Sequence, residues 1–373
     1  MQRKIKHALA VLSIAAATLF TAPQAIAVSP HKASKTCLSD CTTRMGIVSA
    51  FGAEADILVA ETTRRKTYLV NGNRFTTGVL RGNPVVIVLS GVSLVNSVMV
   101  TQLMLDHFKI ERLLMSGIAG GLNPDLHVGD VTIPDRWVLP MEVYWSHDSG
   151  LPKACGKPGD LSCLGLKLAT RKDGAVIPAF NLPAPDGKGQ VSTGLFMREN
   201  FVMTTANAPQ GEFVFAYPVD PAMLAVASQI KPKLAQCGPG LDKLVSQQAA
   251  PAPSPLDPKR CVRQQPKLVV GGAGATASVF LANAAYRKYL FDELQANTFE
   301  METAGLAHVA YANKVPYLAI RSLSDLAGEQ EMNADVAALF SSGLAEANEA
   351  ATALAFLEAW KARKTQNAGN KKR

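Results

Sequence analysis

A chain of 373 residues that is 48% hydrophobic and 18% charged can bury a large core, which excludes global disorder. Aromatic residues, at 6%, are too sparse for base-stacking platforms. The formal charge of +8 sits at the two ends: Arg3, Lys4 and Lys6, then Lys361, Arg363, Lys364, Lys371, Lys372 and Arg373, with no acid in residues 1–27 or after Trp360; without these nine cations the body carries −1, so no nucleic-acid partner is expected.

Residues 1–27 read as an export signal: the basic MQRKIKH, the 13-residue apolar run ALAVLSIAAATLF, and a small-residue ending at Ala25-Ile26-Ala27. Such a run is short for a bilayer span, and no later run reaches about 18 apolar residues. The mature chain is therefore expected to be exported, periplasmic or secreted, with no membrane segment after cleavage. Residues 28–44 form an N-terminal extension. The six cysteines, Cys37, Cys41, Cys155, Cys163, Cys237 and Cys261, are an even number in an oxidising compartment and read as disulfides. Pairing of sequence neighbours gives 37–41, 155–163 and 237–261. The six histidines are scattered and no CxxC occurs, so neither a metal nor another cofactor is expected.

From Met45 the texture is α/β. MGIVSAFG reads as a strand and EADILVAETTRR as a helix; PVVIVLSGV is a buried-strand run and LVNSVMVTQLMLDHF has helical spacing. RLLMSGIAGGL and GDVTIPDRWVLP are further strand candidates. Residues 146–200 and 232–266, rich in Gly, Pro and polar residues and carrying four of the cysteines, read as surface insertions, with VDPAMLAVASQI a helix between them. Strand texture returns in KLVVGGAG, followed by helical AAYRKYLFDEL, helical FEMETAGLAHVAYANKV, the strand PYLAIRSLSD and one or two Ala-rich C-terminal helices. Residues 361–373 are expected as a disordered basic tail. GGAGAT lacks the Gly-Lys-Ser/Thr ending of a phosphate loop and is weak as a nucleotide fingerprint. Apolar runs that end in Gly or Ser and lead into helices describe one α/β domain over 45–360, a twisted mixed, mainly parallel sheet flanked by helices, with ligands at the carboxyl ends of its strands.

Four segments, IVSAFGAEADIL (47–58), LSGV (89–92), SGIAGGLNPDLHVGDVTIPDRW (116–137) and FEMETAGLAHVAYANKVPYLAIRSLSD (299–325), resemble the purine nucleoside phosphorylase superfamily. Within it the chain is most similar to the 5′-methylthioadenosine/S-adenosylhomocysteine nucleosidases, whose exported branch includes plant storage-type proteins with the same IRSLSDLAG ending. The resemblance covers residues 45–145 and 265–360 and leaves both insertions unexplained. It implies a phosphorylase-type domain, a small purine nucleoside as partner, and a homodimer.

Breaking a ribose–purine bond passes through a cationic sugar and needs an acid for the leaving base, a base for water, and hydrogen bonds to the ribose hydroxyls. The resemblance makes Asp325, with Ser324 beside it, the acid that protonates purine N7, and Glu302 the carboxylate that accepts from the 2′ and 3′ hydroxyls while Met301 packs on the sugar. Glu300 is open to a solvent-facing role. The resemblance makes Glu54 the activator of water and Arg321 the group that orients the water and that carboxylate. Glu54 and Asp56 point different ways on a helix, so only one enters the site; Glu54 is the better match and Asp56 the alternative. The resemblance further implies that Ser90 and Gly91 border the sugar, that Gly117, Gly120 and Gly121 allow a close turn, and that Phe280, or Val279 if the alignment slips by one, stacks on the purine. Phosphorylases of this superfamily place an Arg where this chain has Leu89, and Arg64 and Arg65 read as solvated charges, so water is favoured over phosphate. A phosphate-dependent phosphorylase and a non-catalytic nucleoside-binding or storage protein are the competing readings.

Overall fold

A computed structural model describes residues 37–141, 200–204, 206–238, 261–262, 264–328 and 342–370. The chain divides into two units, residues 1–35 and 36–373. The expected export signal, in the first, lies outside the described residues, and so do Cys155 and Cys163.

Strand β1 (Asp40–Ser49) leads into helix α1 (Gly52–Glu61), as expected for the first apolar run. The helix expected over EADILVAETTRR stops at Glu61. The paired β-branched Thr62 and Thr63 favour extended backbone, and Thr62 Oγ1 donates to Leu58 O at 2.7 Å, closing the last turn. Strands β2 (Thr63–Val70), β3 (Asn73–Leu80) and β4 (Asn83–Leu89) then form a meander. Asn71 and Gly72, at φ 46° and 79°, supply the left-handed pair that a two-residue hairpin requires. The sequence reading had no β2 or β3, because these strands are rich in charge and threonine. Helix α2 (Leu94–His107) returns the chain to β5 (Phe108–Gly121). The strand expected across GDVTIPDRW splits into β6 (Val131–Ile133) and β7 (Arg136–Val138), since Pro134 has no N–H for a ladder.

The short strands β8 (Asn200–Val202) and β9 (Glu212–Val214) pair with each other; β10 (Tyr217–Pro218) adds to the main sheet, and helix α3 (Pro221–Ala227) follows. Then come β11 (Leu268–Val270), β12 (Ala273–Thr276), α4 (Ala284–Leu294), β13 (Ala296–Glu300), α5 (Thr303–Asn313), β14 (Tyr317–Asp325) and α6 (Leu344–Asn370). The main sheet has 12 strands along the path β10-β7-β12-β13-β5-β1-β4-β3-β2, with β14 against β5, and β6 between β14 and β11. Strands β4, β1, β5 and β14 run parallel at its centre, and their apolar runs are buried on both faces, as a helix-covered parallel sheet demands. The expected α/β architecture is the observed one.

Two expectations are corrected. FEMETAGLAHV is not helical from its first residue: Phe299 and Glu300 close β13, and the helix starts at Thr303 because Glu300 Oε2 accepts from the N–H groups of Glu302 and Thr303, both at 2.9 Å. Residues 361–370 are not disordered but continue α6. Buried Trp360 anchors them; Arg363 lies over its ring and donates to Ala222 O, and Lys364 pairs with Glu111. The edges of the second insertion lie on the body, in keeping with a surface insertion. The Cys237–Cys261 disulfide ties them together, and Ala235 N donates to Asn348 Oδ1 on α6 at 2.6 Å. Cys37 pairs with Cys41, as sequence proximity predicts. The first insertion, apart from Asn200, and residues 239–260 of the second lie outside the described residues. No helix among the described residues is long and apolar enough to cross a membrane.

Candidate active site

The carboxyl ends of β1, β5, β13 and β14 converge on one cavity of about 200 Å³. Its walls are mostly apolar, from Phe51, Val92, Ile118, Phe280 and Met301, and Glu54, Glu300, Glu302 and Asp325 are the acidic residues that line it.

Glu54 comes from the first turn of α1, where an acid meets the positive end of the helix. It is only 1% exposed. Its Oε2 accepts from Ala50 N at 2.6 Å and Phe51 N at 3.2 Å, and its Oε1 from Ile118 N at 2.8 Å. Burial pushes its carboxyl pKa up, while Arg321 and the three N–H donors pull the other way. Asp56, the alternative, is half-buried and does not line the cavity.

Arg321 lies behind the cavity wall with none of its surface exposed. Its Nη2 bonds to Glu300 and lies 3.6 Å from Glu302 Oε2; its Nη1 lies 3.7 Å from Glu54 Oε1 and donates to Ile118 O at 3.2 Å. Its Nε and Nη2 also meet Thr303 Oγ1 at 3.2 Å and 2.8 Å. Burial opposes its charge, but Glu300, Glu302 and Glu54 outweigh that and raise its pKa. One guanidinium therefore serves three carboxylates. It is not among the residues that line the cavity; it holds the acids from behind them. Glu300 is not solvent-facing: it is buried, bonded to Arg321 and Thr276, and caps α5. Glu302, the N-cap residue of α5, accepts from Ser93 N at 2.7 Å through Oε1. Burial, and then the charge of Glu300, push its carboxyl pKa up to about 8.

Asp325 ends β14. Its Oδ1 accepts from Ala327 N at 2.7 Å and its Oδ2 from Ser324 Oγ at 2.9 Å. Burial raises its pKa, opposed by those donors and by the charge of Arg287. Gly120 is required here, since a Cβ would stand 2.9 Å from Asp325 Oδ1. Met301, Ser324, Phe280 and Val279 all line the cavity, with Phe280 52% exposed at its edge. Ser90 and Gly91 do not. Ser90 Oγ donates to Gly91 O at 2.8 Å, Gly91 takes φ 82°, and Val92 is the residue of that turn that lines the cavity.

Sequence reasoning left Glu300 undecided and missed Glu346 and Glu349. Glu349 on α6 is fully buried and accepts from Ser116 Oγ; burial drives its pKa well above the usual carboxylate range and pushes that of Glu346 up to about 7. A signal existed. Glu346 and Glu349 fall on the same helical stripe as the buried Ala353, Phe356 and Trp360.

Among curated proteins, the chain is 24% identical over 273 residues to bark storage protein B of Populus deltoides, covering 73% of this chain and 74% of that protein. It is 26% identical over 292 residues to a 5′-methylthioadenosine/S-adenosylhomocysteine nucleosidase of Bacillus cereus strain G9842, covering 77% of this chain and 87% of that protein. The solved nucleosidase from S. pneumoniae with the transition-state inhibitor MT-ImmA has the same fold, with a TM-score of 0.53 at 21% identity over 86% of this chain and 100% of that one. The phosphorylase superfamily model matches residues 44–359. That match spans the sheet from residue 44 of β1 onward and every acid of the cavity, and the chain belongs to the phosphorylase superfamily.

Proposed function

We propose that this protein is an exported purine nucleosidase that uses water to cleave the N-glycosidic bond of nucleosides such as 5′-methylthioadenosine or S-adenosylhomocysteine. One observation carries the reading: Glu54, Glu302 and Asp325 line one apolar-walled cavity at the strand ends. Asp325, whose carboxyl pKa burial pushes up, donates to purine N7 as the bond to the sugar breaks. Glu54 takes the proton of the attacking water, its ionised form favoured by three N–H donors and Arg321. Glu302 accepts from the ribose hydroxyls, and Met301 covers the sugar. A positioned acid contributes roughly 10²–10⁴ in rate. Among the described residues no lysine or arginine lines the cavity, whereas four acidic residues do; a phosphate dianion would have no cation there to anchor it, which favours water as the nucleophile.

The bark storage relative keeps a binding or storage protein as the second reading. A homodimer belongs to the same proposal. Val95 and Met99 on α2 are 77% and 53% exposed, and Phe201 and Met203 are 48% and 55% exposed, as apolar side chains that a second copy would cover; sedimentation of the mature protein tests this. Product analysis with methylthioadenosine, adenosylhomocysteine, adenosine and inosine, with and without phosphate, tests the activity. Free base and free sugar without phosphate are expected. Sugar 1-phosphate formed only with phosphate makes the protein a phosphorylase, and binding without turnover makes it a storage or binding protein.

A further inference from the structure

Glu349 has no part in the chemistry above, yet it is buried with none of its surface exposed, its Oε1 accepts from Ser116 Oγ, and its Oε2 has no hydrogen-bond partner among the described residues. Ser116 precedes Gly117 in β5, and consecutive strand residues face opposite sides of a sheet. On the Gly117 side, a Cβ would stand 2.3 Å from Arg321 Nη1 and 2.4 Å from Glu54 Oε1. Glu349 therefore holds β5 at Ser116, one residue before Gly117 and two before the Ile118 peptide that contacts the Glu54–Arg321 pair. The next residue, Ile118, is the hinge between them: its N–H donates to Glu54 Oε1 at 2.8 Å, and its carbonyl accepts from Arg321 Nη1 at 3.2 Å.

We propose that Glu349 is a positioning residue for Glu54, holding β5 through Ser116 so that the Ile118 peptide stays aligned with the Glu54 carboxylate. Glu349 does this as a neutral acid. The described residues give it no cation within ion-pairing distance, and an ionised carboxylate with one oxygen unpaired in a dry interior is too costly to persist. The charged groups that face it agree: Glu54 from α1 and Glu346 from its own helix disfavour a further negative charge, and only Arg321 from β14, already shared among three carboxylates, favours one.

The proposal rests on Glu54 as the activator of water, and its test has one readout independent of turnover. Glu349→Ala frees β5 and loosens the Ile118 donor, so the acid limb of the kcat profile moves up by about one pH unit, as expected when an ionised carboxylate loses a hydrogen bond, and kcat falls about tenfold at neutral pH with KM unchanged. Glu349→Gln, neutral and of the same shape, restores both. Ser116→Ala, a smaller change should Glu349→Ala fail to fold, shifts the limb in the same direction. Independently of activity, the wild type shows at neutral pH an infrared carbonyl stretch of a protonated carboxylic acid that is absent from Glu349→Gln. If Glu349→Gln moves the limb down instead, or the infrared band is missing, Glu349 is ionised and the proposal is overturned. Variants that lose thermal stability with unmoved limbs overturn it too, leaving Glu349 as scaffold only. A wild type that shows the band but hydrolyses no nucleoside overturns the nucleosidase reading and not the neutral state of Glu349.

Discussion

Gly117 is the point where one added methyl group meets the proposed reacting machinery and little else. An alanine Cβ there would stand 2.3 Å from Arg321 Nη1, 2.4 Å from Glu54 Oε1 and 2.8 Å from Glu54 Cδ, where ordinary contact begins at 3.4 Å. The backbone of Gly117 does not need positive φ, so the strand itself tolerates alanine and the clash falls on the ion pair. Restoring contact moves the guanidinium or the carboxylate by roughly 1 Å, and a displacement of that size costs about 10²-fold in rate, or about 2.7 kcal/mol in the barrier. Overpacking at a buried site adds about 1–3 kcal/mol of lost stability. The assay is initial-rate nucleoside hydrolysis beside urea denaturation, with Gly52→Ala as the control, because its Cβ comes no closer than 3.9 Å to a neighbour. Gly117→Ala is expected to lose kcat with little change in KM while Gly52→Ala keeps both. A Gly117→Ala protein with the wild-type kcat would show that the Glu54–Arg321 geometry does not matter to turnover.

Asp325→Asn is expected to lose hydrolysis by roughly 10²–10⁴ while still binding nucleoside in calorimetry; unchanged turnover would remove Asp325 from the acid role. Glu302 has its pKa raised to about 8 by burial and by Glu300, so the folded state holds its proton more tightly than the unfolded one. Its contribution to stability is complete below the usual carboxylate range and is lost as pH rises towards about 8. Melting temperature should therefore fall across that window, and less so in Glu302→Gln. Nucleoside affinity should rise over the same window, because ribose hydroxyls donate to the ionised form; a flat affinity profile would contradict the ribose role. Replacing Cys237 by Ser opens the loop to Cys261, a sequence separation of 24, and should cost about 3 kcal/mol in denaturant unfolding; no loss would mean that the bonds of Ala235 and Asn348 alone hold that edge.

Apolar runs that end in Gly or Ser made the central strands legible, and the acids Glu54, Glu302 and Asp325 stand where those runs end. The edge meander β2–β3 was illegible because half-solvated strands rich in Arg, Lys and Thr carry no apolar alternation. Helix α1 was read too long for a related reason, since a run of Glu and Thr satisfies helix and strand patterns alike. At FEMET, the helix start depended on where the carboxylate of Glu300 finds its donors, a bond between residues two and three apart that pattern alone does not weigh against continuing the helix. The basic tail read as disordered because its composition is polar, whereas Trp360, Arg112 and Ala222 give it surfaces to hold.

By itself, the sequence determined the α/β class and which acids stand at strand ends, because apolar period and turn residues are local properties; proximity along the chain only favoured the pairings that the structure shows for Cys37 and Cys237. Only the tertiary structure decided that Arg321 stands behind the wall, that Glu300 faces inward, and that Glu349 reaches Ser116 across 233 residues of sequence. Burial and charge pairing depend on which distant elements meet, and in a dry interior a carboxylate takes its character from those neighbours.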